Sequence, residues 1–111
     1  MTKDIISYQN DLLRHTFAYG QVVVTRGIQA LPIYRQRQIF QMVQSFENFT
    51  EGNDPYGEHD FGVIKISEDE NELTIFWKID CYDLNLEYRS PDPADPAVTK
   101  RVLTICLAEE Y

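Results

Sequence analysis

The sequence predicts an α+β domain in which about three helices pack on a small, mainly antiparallel sheet. Three observations lead to this fold class: two stretches carry apolar residues at helical spacing, one stretch alternates apolar and polar residues, and one short run is β-branched. The predicted order is α-β-α-β-β-(β)-α, where the bracketed strand is optional. We expect the whole chain of 111 residues to form a single domain.

The first helix is predicted from about residue 3 to residue 18. Thr2 can cap its N-terminus, Asp4 lies in its first turn, and Gly20 ends it. The second helix is predicted from about residue 32 to residue 48, with Pro32 in its first turn. Its apolar stripe consists of Ile39, Met42, Val43, Phe46 and Phe49.

Three strands are predicted between and after these helices. The β-branched run at 21–25 is short enough for a buried strand, and Gly27 is expected to break it. Residues 61–67 and 72–80 form the arms of a hairpin around an acidic turn at 68–71. The apolar phase changes after Ile79, which predicts a bulge or a bend near residues 80–83.

The last segment begins with the proline-rich stretch SPDPADP at residues 90–96. Asp95 fits a helix N-cap and Pro96 fits the first helical position, which favours a final helix to about Glu109. The β-branched run at 102–105 leaves a strand as the rival interpretation.

Charge is distributed unevenly along the chain, whose formal net charge is −8. Residues 1–46 carry +3, residues 47–95 carry −11 and residues 96–111 are neutral. Such an acidic block repels nucleic acid and attracts basic surfaces, so we expect a protein partner with a basic surface and no direct nucleic-acid binding. No apolar run reaches the length of a membrane span and no secretory signal is present, which predicts a cytoplasmic protein. Cys81 and Cys106 are expected to be reduced and packed.

Two short stretches carry the residue types that catalysis requires. Glu58-His59-Asp60 follows a tight turn, and Lys78 and Asp80 share one face of the second hairpin strand. If the hairpin pairs through its acidic turn, Asp60 comes close to Lys78 or Asp80, so His59, Asp60, Lys78 and Asp80 are the catalytic candidates. Neighbouring side chains of an extended chain point to opposite sides, so His59 faces away from Glu58 and Asp60.

No metal and no cofactor are expected, and Glu58, Asp60 and Asp80 are only weak candidates for metal ligands. The competing structural interpretation is stronger for both stretches. In this interpretation the carboxylate of Asp60 or Glu58 accepts backbone N–H groups within the turn and His59 bonds a carboxylate or carbonyl. The hairpin end then holds a charge-paired network.

The motifs GEHDFG at 57–62, WKIDCYD at 77–83 and SPDPADP at 90–96 together resemble the bacterial family called domain of unknown function 3768. The resemblance extends from about Asn10 to Tyr111. It implies no established activity and no catalytic residues, but it does imply an association with plasmids, phages and other mobile elements. The family motifs include Glu58, His59 and Asp60, where the chemical candidates already lie.

The favoured function is therefore that of a small acidic protein-binding module, which acts as an inhibitor or an adaptor of a larger protein. Nucleic-acid-binding proteins are among the candidates for this larger protein. Its expected contact residues are all acidic: Glu58, Glu68, Asp69, Glu70, Glu72 and Asp83. The alternatives are an enzyme or metal-binding domain that uses the Glu58-His59-Asp60 and Lys78/Asp80 cluster, and a structural homodimer.

Overall fold

The computed structural model describes residues 2–68 and 70–111. The helices are α1 (Thr2–Thr16), α2 (Arg26–Gln29) and α3 (Ile33–Gln44), with a final 3₁₀ turn at Ala108–Glu110. The strands are β1 (Gln21–Val24), β2 (Phe61–Glu68), β3 (Asn71–Tyr82) and β4 (Lys100–Leu107). The α+β class is confirmed, and the first two predicted helices and the first three predicted strands are present.

The four strands form one sheet in the order β1-β4-β3-β2. Strands β2 and β3 form the predicted antiparallel hairpin, and β3 pairs antiparallel with β4. Strand β1 pairs parallel with β4, with Gln21 opposite Val102. The first and last strands of the chain are therefore neighbours, and β2 lies at one edge of the sheet.

The core lies between one face of this sheet and the helices. Trp77 and Ile75 from β3 are fully buried there, together with Leu13 of α1 and Ile39 and Val43 of α3. The apolar stripe that predicted α3 supplies Ile39 and Val43. In α1 the core contact comes from Leu13, whereas Ile5 and Tyr8, which follow the helical spacing that predicted this helix, are exposed. No helix among the described residues is both long and apolar enough to cross a membrane.

Helix α2 was not predicted, because Gly27 was expected only to end the strand at 21–25. Gly27 instead lies inside α2, where its amide N–H donates to Oε2 of Glu110 at 2.9 Å. A Cβ atom at this position would lie 2.6 Å from both Leu107 and Glu110, so the glycine allows the C-terminal segment to approach α2 closely.

The prediction of a final helix is wrong, because residues 100–107 form strand β4. The capping contact expected of Asp95 is present, since its Oδ1 accepts the amide N–H of Ala97 at 2.9 Å, but no helix follows. Strand β4 instead pairs with β3 on one side and β1 on the other, and Leu103 and Ile105 are fully buried. Two rows of strand hydrogen bonds and this burial outweigh a local helix-start pattern.

Of the bulge or bend predicted near residues 80–83, the bulge is absent and a bend follows Tyr82. Strand β3 keeps a regular register with β4 up to Tyr82, and the chain then turns. Asp83 Oδ1 accepts amide N–H groups from Asn85 and Glu87, which stabilises this turn. The optional fourth strand of the hairpin region is thus a loop, joined to β3 by one bridge between Tyr82 and Arg89.

Candidate functional site: a carboxylate cleft at one end of the sheet

The β2–β3 register brings the two candidate stretches of the sequence together. Phe61 lies opposite Lys78, and the amide N–H of Ile79 donates to the carbonyl oxygen of Asp60 at 2.8 Å. The expectation that Asp60 approaches the end of β3 is therefore confirmed.

A cleft of about 330 Å³ opens at this end of the sheet. Its walls come from α1, from the loop before β2, from the end of β3 and from the loop that leads to β4. Three carboxylates line it, from Glu58, Asp60 and Asp80. Arg89 is the only Lys or Arg among the described residues that line it.

The surroundings of Glu58 and Asp60 in the cleft disfavour the ionised form of both carboxyl groups. Burial raises the pKa of Glu58, and the carboxylates of Asp60 and Asp54 raise it further. Burial also raises the pKa of Asp60, with smaller contributions from Asp54 and Asp80. Arg89 acts in the opposite direction on both groups but does not reverse the shifts. The cleft therefore holds carboxylates that lack sufficient positive charge nearby.

A buried polar network fixes the walls of the cleft. Asn10 of α1 is 1% exposed; its Nδ2 donates to the carbonyl of Glu58 and its Oδ1 accepts from Nε of Arg101, both at 2.9 Å. Arg101 of β4 also donates to the carbonyl of Pro93. These hydrogen bonds hold α1, the loops at Glu58 and Pro93, and strand β4 in one arrangement. Burial lowers the pKa of Arg101.

Cys81 lines the same cleft and lies opposite Arg101 on the neighbouring strand. Burial raises the pKa of its thiol, and the nearby carboxylates add to this effect while Arg101 reduces it. A raised pKa keeps the thiol protonated, which is opposite to the requirement of a cysteine nucleophile. Cys81 and Cys106 are both free thiols, and Cys106 is buried.

Lys78 lies outside the cleft. Its Nζ is 3.2 Å from Oδ2 of Asp80 and 5.8 Å from the ring centroid of Tyr111. The hydrogen bond to Asp80 is the main cause of its raised pKa. Lys78 and Asp80 therefore form the predicted charge pair on the sheet face that the helices leave uncovered.

His59 also lies apart from the cleft. Its Nδ1 is 2.9 Å from Oδ1 of Asp11, its Nε2 is 3.7 Å from Oδ2 of Asp54, and its ring stacks on Phe49 with centroids 4.0 Å apart. The Asp54 carboxylate accepts the amide N–H groups of Glu58 and His59. The carboxylate that braces the loop before β2 is therefore that of Asp54, and not that of Glu58 or Asp60 as expected. His59, a catalytic candidate, bonds to structural groups.

Sequence reasoning did not find Arg14, which is 1% exposed. Its guanidinium donates to the carbonyls of Val43 and Phe46 and to the Asp11 carboxylate, and it lies over the rings of Phe49 and Trp77. Asn10 and Arg101 were missed as well. The available indication was that Asn10 and Arg14, four residues apart, share a face of α1 with apolar residues.

The acidic residues expected to bind a partner do not form one continuous surface. Glu58 belongs to the cleft, whereas Glu70 and Glu72 are exposed near the β2–β3 turn, about 25 Å away at 3.3 Å per residue of β2. Asp83 stabilises the loop after β3. Glu68 ends β2, and Asp69 lies outside the described residues.

Side chains that could bind a metal ion do not cluster in the described part of the chain. Over residues 2–68 and 70–111, no three His, Cys, Asp or Glu side chains come together in a group that could hold a metal ion. Glu58, Asp60 and Asp80 therefore line one cleft without forming such a group.

Comparison with known proteins gives a family but no activity. No curated protein and no solved structure matches the chain. The family described as "Protein of unknown function (DUF3768)" matches residues 24–110, so α1, with Asn10 and Asp11, lies before the matched region. With most of its length matched, the chain belongs to this family.

Proposed function

We propose that this chain is a small acidic protein-binding module, which inhibits or adapts a larger protein that carries a basic surface. A nucleic-acid-binding protein is the favoured type of partner, since its basic cleft attracts acidic surfaces. A cytoplasmic location and a role in a bacterial mobile element or phage are parts of the same proposal. The observation that carries it is a cleft in which the carboxylates of Glu58 and Asp60 have raised pKa values and Arg89 is the one Lys or Arg among the described lining residues, while Asp80 is already paired with Lys78.

The raised pKa values of Glu58 and Asp60 indicate what the cleft would bind. Burial penalises the charged form of both carboxylates. The charge of Asp60 adds to this penalty at Glu58, and the charges of Asp54 and Asp80 add to it at Asp60. A guanidinium or ammonium group inserted between Glu58 and Asp60 would supply the missing positive charge and hydrogen-bond donors. The volume of about 330 Å³ is sufficient for the end of one arginine or lysine side chain.

The rigidity of the cleft supports binding by a preformed site. Asn10 and Arg101 connect α1, the Glu58 backbone and β4 through hydrogen bonds of 2.9 Å. Little side-chain and loop entropy would then be lost when a partner inserts a basic side chain.

The proposal is tested by affinity capture from host lysate at low and high salt, with mass spectrometric identification. The variant Glu58→Gln/Asp60→Asn removes two charges from the cleft. The matched control Glu47→Gln/Glu109→Gln removes two charges from exposed positions away from it.

We expect one stoichiometric partner with a basic surface, which the cleft variant loses and the control retains, and which dissociates at high salt. Equal capture by both variants would exclude the cleft as the contact site. Absence of any stoichiometric partner at low salt would contradict the binding-module function.

A second candidate function is acid–base catalysis in the same cleft. Two carboxyl groups with raised pKa values beside an arginine are typical of acid–base sites. Thermal-shift screening against small basic metabolites tests it. A ligand that is turned over by the wild type and not by Asp60→Asn would favour the enzyme.

A further inference from the structure

Strand β2 forms one edge of the sheet and leaves one side of its backbone unpaired. The amide N–H of Ile79 donates to Asp60, so the residue pair 60/79 is a hydrogen-bonded pair of the antiparallel ladder. Because such pairs alternate, the even-numbered residues of β2 direct their backbone groups to β3. The N–H and C=O groups of Phe61, Val63, Lys65 and Ser67 therefore point away from the sheet.

This edge is long and accessible. Strand β2 has eight residues, and Val63, Lys65 and Ser67 are exposed, while Ile64 and Ile66 are buried in the core. The opposite edge of the sheet is the four-residue strand β1, which continues at once into α2. Of the two edges, β2 offers the longer template for another strand.

The charges at the two ends of β2 indicate which kind of strand can pair with this edge. Asp60 precedes the strand and Glu68 ends it. Two antiparallel copies of β2 would place the Asp60 end of one beside the Glu68 end of the other, and a parallel arrangement would place like residues together. Both arrangements juxtapose acidic residues, which disfavours pairing with a second copy of this chain.

A groove that includes Ile66 of this edge strand adds a place for an apolar side chain. It has a volume of about 240 Å³ and is lined mainly by apolar groups, among them Leu31, Pro32, Ile66 and Leu73. Ile66 belongs both to β2 and to this groove. A strand added along β2 would pass Ile66 and could place one side chain there.

We propose that the β2 edge binds an extended, basic segment of a partner protein by strand addition, with basic residues at both ends of the segment and an apolar side chain facing the Ile66 groove. The inference rests on the proposed binding function and specifies how the partner is held. Backbone hydrogen bonds along β2 give affinity, and the acidic ends and the groove give selectivity.

The test uses a synthetic peptide, KKVTVTVTKK, and amide hydrogen exchange measured by NMR on the isotope-labelled protein. We expect the amides of Val63 and Lys65 to become protected when the peptide binds, while those of Ile64 and Ile66 are already protected and do not change. The peptide EEVTVTVTEE, with acidic ends, is expected not to bind.

The variant Val63→Pro removes one outward N–H without removing a β2–β3 hydrogen bond, so the fold is retained. It should weaken peptide binding by about tenfold, since one backbone hydrogen bond is lost. The control Val63→Thr keeps the N–H and the β-branched shape, and should bind like the wild type. Circular dichroism verifies that both variants are folded.

Three outcomes would overturn strand addition. The basic peptide could fail to bind, or bind without protecting Val63 and Lys65, or bind equally well to Val63→Pro. A free protein that is dimeric with these amides already protected would instead identify a second copy as the occupant. Because Asp60 lies both in the cleft and at one end of β2, the separate test uses Val63→Pro, which leaves the cleft carboxylates in place. A partner captured from lysate equally well by Val63→Pro and by the wild type would overturn strand addition and leave the proposed binding function standing.

Discussion

The Nδ1 atom of His59 lies 2.9 Å from the Oδ1 atom of Asp11, which connects the loop before β2 to helix α1. Asp11 also accepts a hydrogen bond from the buried guanidinium of Arg14 at 2.9 Å. The most conspicuous ionisable residue of the GEHDFG motif thus takes part in a network that holds α1 against the loop, and the adjacent carboxylates Glu58 and Asp60 form the cleft.

The first prediction concerns this network. His59→Ala should lower the free energy of unfolding by about 2 kcal/mol, because the contact with Asp11 and the stacking on Phe49 are lost. Asp11→Ala should lower the free energy of unfolding further, by about 3 kcal/mol, since the buried Arg14 also loses its carboxylate partner. Urea denaturation measures both values.

A double-mutant cycle provides the control. The combined variant should show a coupling between His59 and Asp11 of about 1 kcal/mol. Additive effects, with no measurable coupling, would mean that the 2.9 Å contact contributes nothing to stability.

The second prediction is that Asp60→Asn stabilises the protein at pH 7 by about 0.5 kcal/mol or more. Burial and neighbouring carboxylates raise the pKa of Asp60 above its ordinary value of 3.8, so the folded state binds this proton more tightly than the unfolded state does. The contribution of Asp60 to stability therefore decreases as the pH rises through the folded-state pKa. The amide avoids this loss.

Denaturation of wild type and Asp60→Asn over a range of pH measures the effect. The stability difference should shrink as the pH is lowered towards 3.8, where the wild-type carboxyl becomes protonated. A variant that is less stable than the wild type at pH 7 would show that the Asp60 carboxylate has a stabilising partner.

The third prediction concerns Glu110, whose pKa is lowered by hydrogen bonds from the hydroxyl of Thr25 and from the amide N–H groups of Leu107 and Gly27. A depressed carboxyl pKa contributes stability above the ordinary value of 4.5, which is lost as the pH falls through the folded-state pKa. Glu110→Gln should therefore lower the melting temperature at pH 7 and have less effect in acid.

Glu109→Gln is the matched control, because Glu109 is the exposed neighbour with the same charge. It should leave the melting temperature nearly unchanged. Equal effects of the two substitutions would indicate a general response to net charge and not the loss of the Glu110 hydrogen bonds.

The fourth prediction concerns Gly62, the last residue of the GEHDFG motif. A Cβ atom there would overlap the indole of the fully buried Trp77 on the facing strand. Gly62→Ala should destabilise the protein by about 1–3 kcal/mol through overpacking. Gly52→Ala is the control, since its nearest contact would be Thr50 Oγ1 at 3.7 Å, and thermal unfolding should show little change.

The fold could be predicted wherever local pattern and tertiary contact agree. The apolar stripe of α3 and the alternation of β3 describe the faces that these elements bury. Helix α1 was predicted but its buried face was not, since Ile5 and Tyr8 of its apolar spacing are exposed. Strand β4 could not be predicted in the same way, because two local patterns conflict. Asp95 and Pro96 fit a helix start, whereas the β-branched run at 102–105 fits a strand. The neighbouring strands β1 and β3 make the strand more favourable, and they are distant in sequence.

The candidate site likewise combines features that follow from local sequence with features that depend on tertiary contacts. By itself, the sequence determined the α+β class, the hairpin that brings Asp60 to the end of β3, the acidic middle of the chain and the family resemblance. Only the tertiary structure decided that Glu58 and Asp60 share a cleft with Asp80, that His59 turns to Asp11, and that Asn10 and Arg101 hold the cleft walls. The physical reason is that hairpin pairing and periodicity are local, whereas burial and charge pairing depend on residues that only folding brings together.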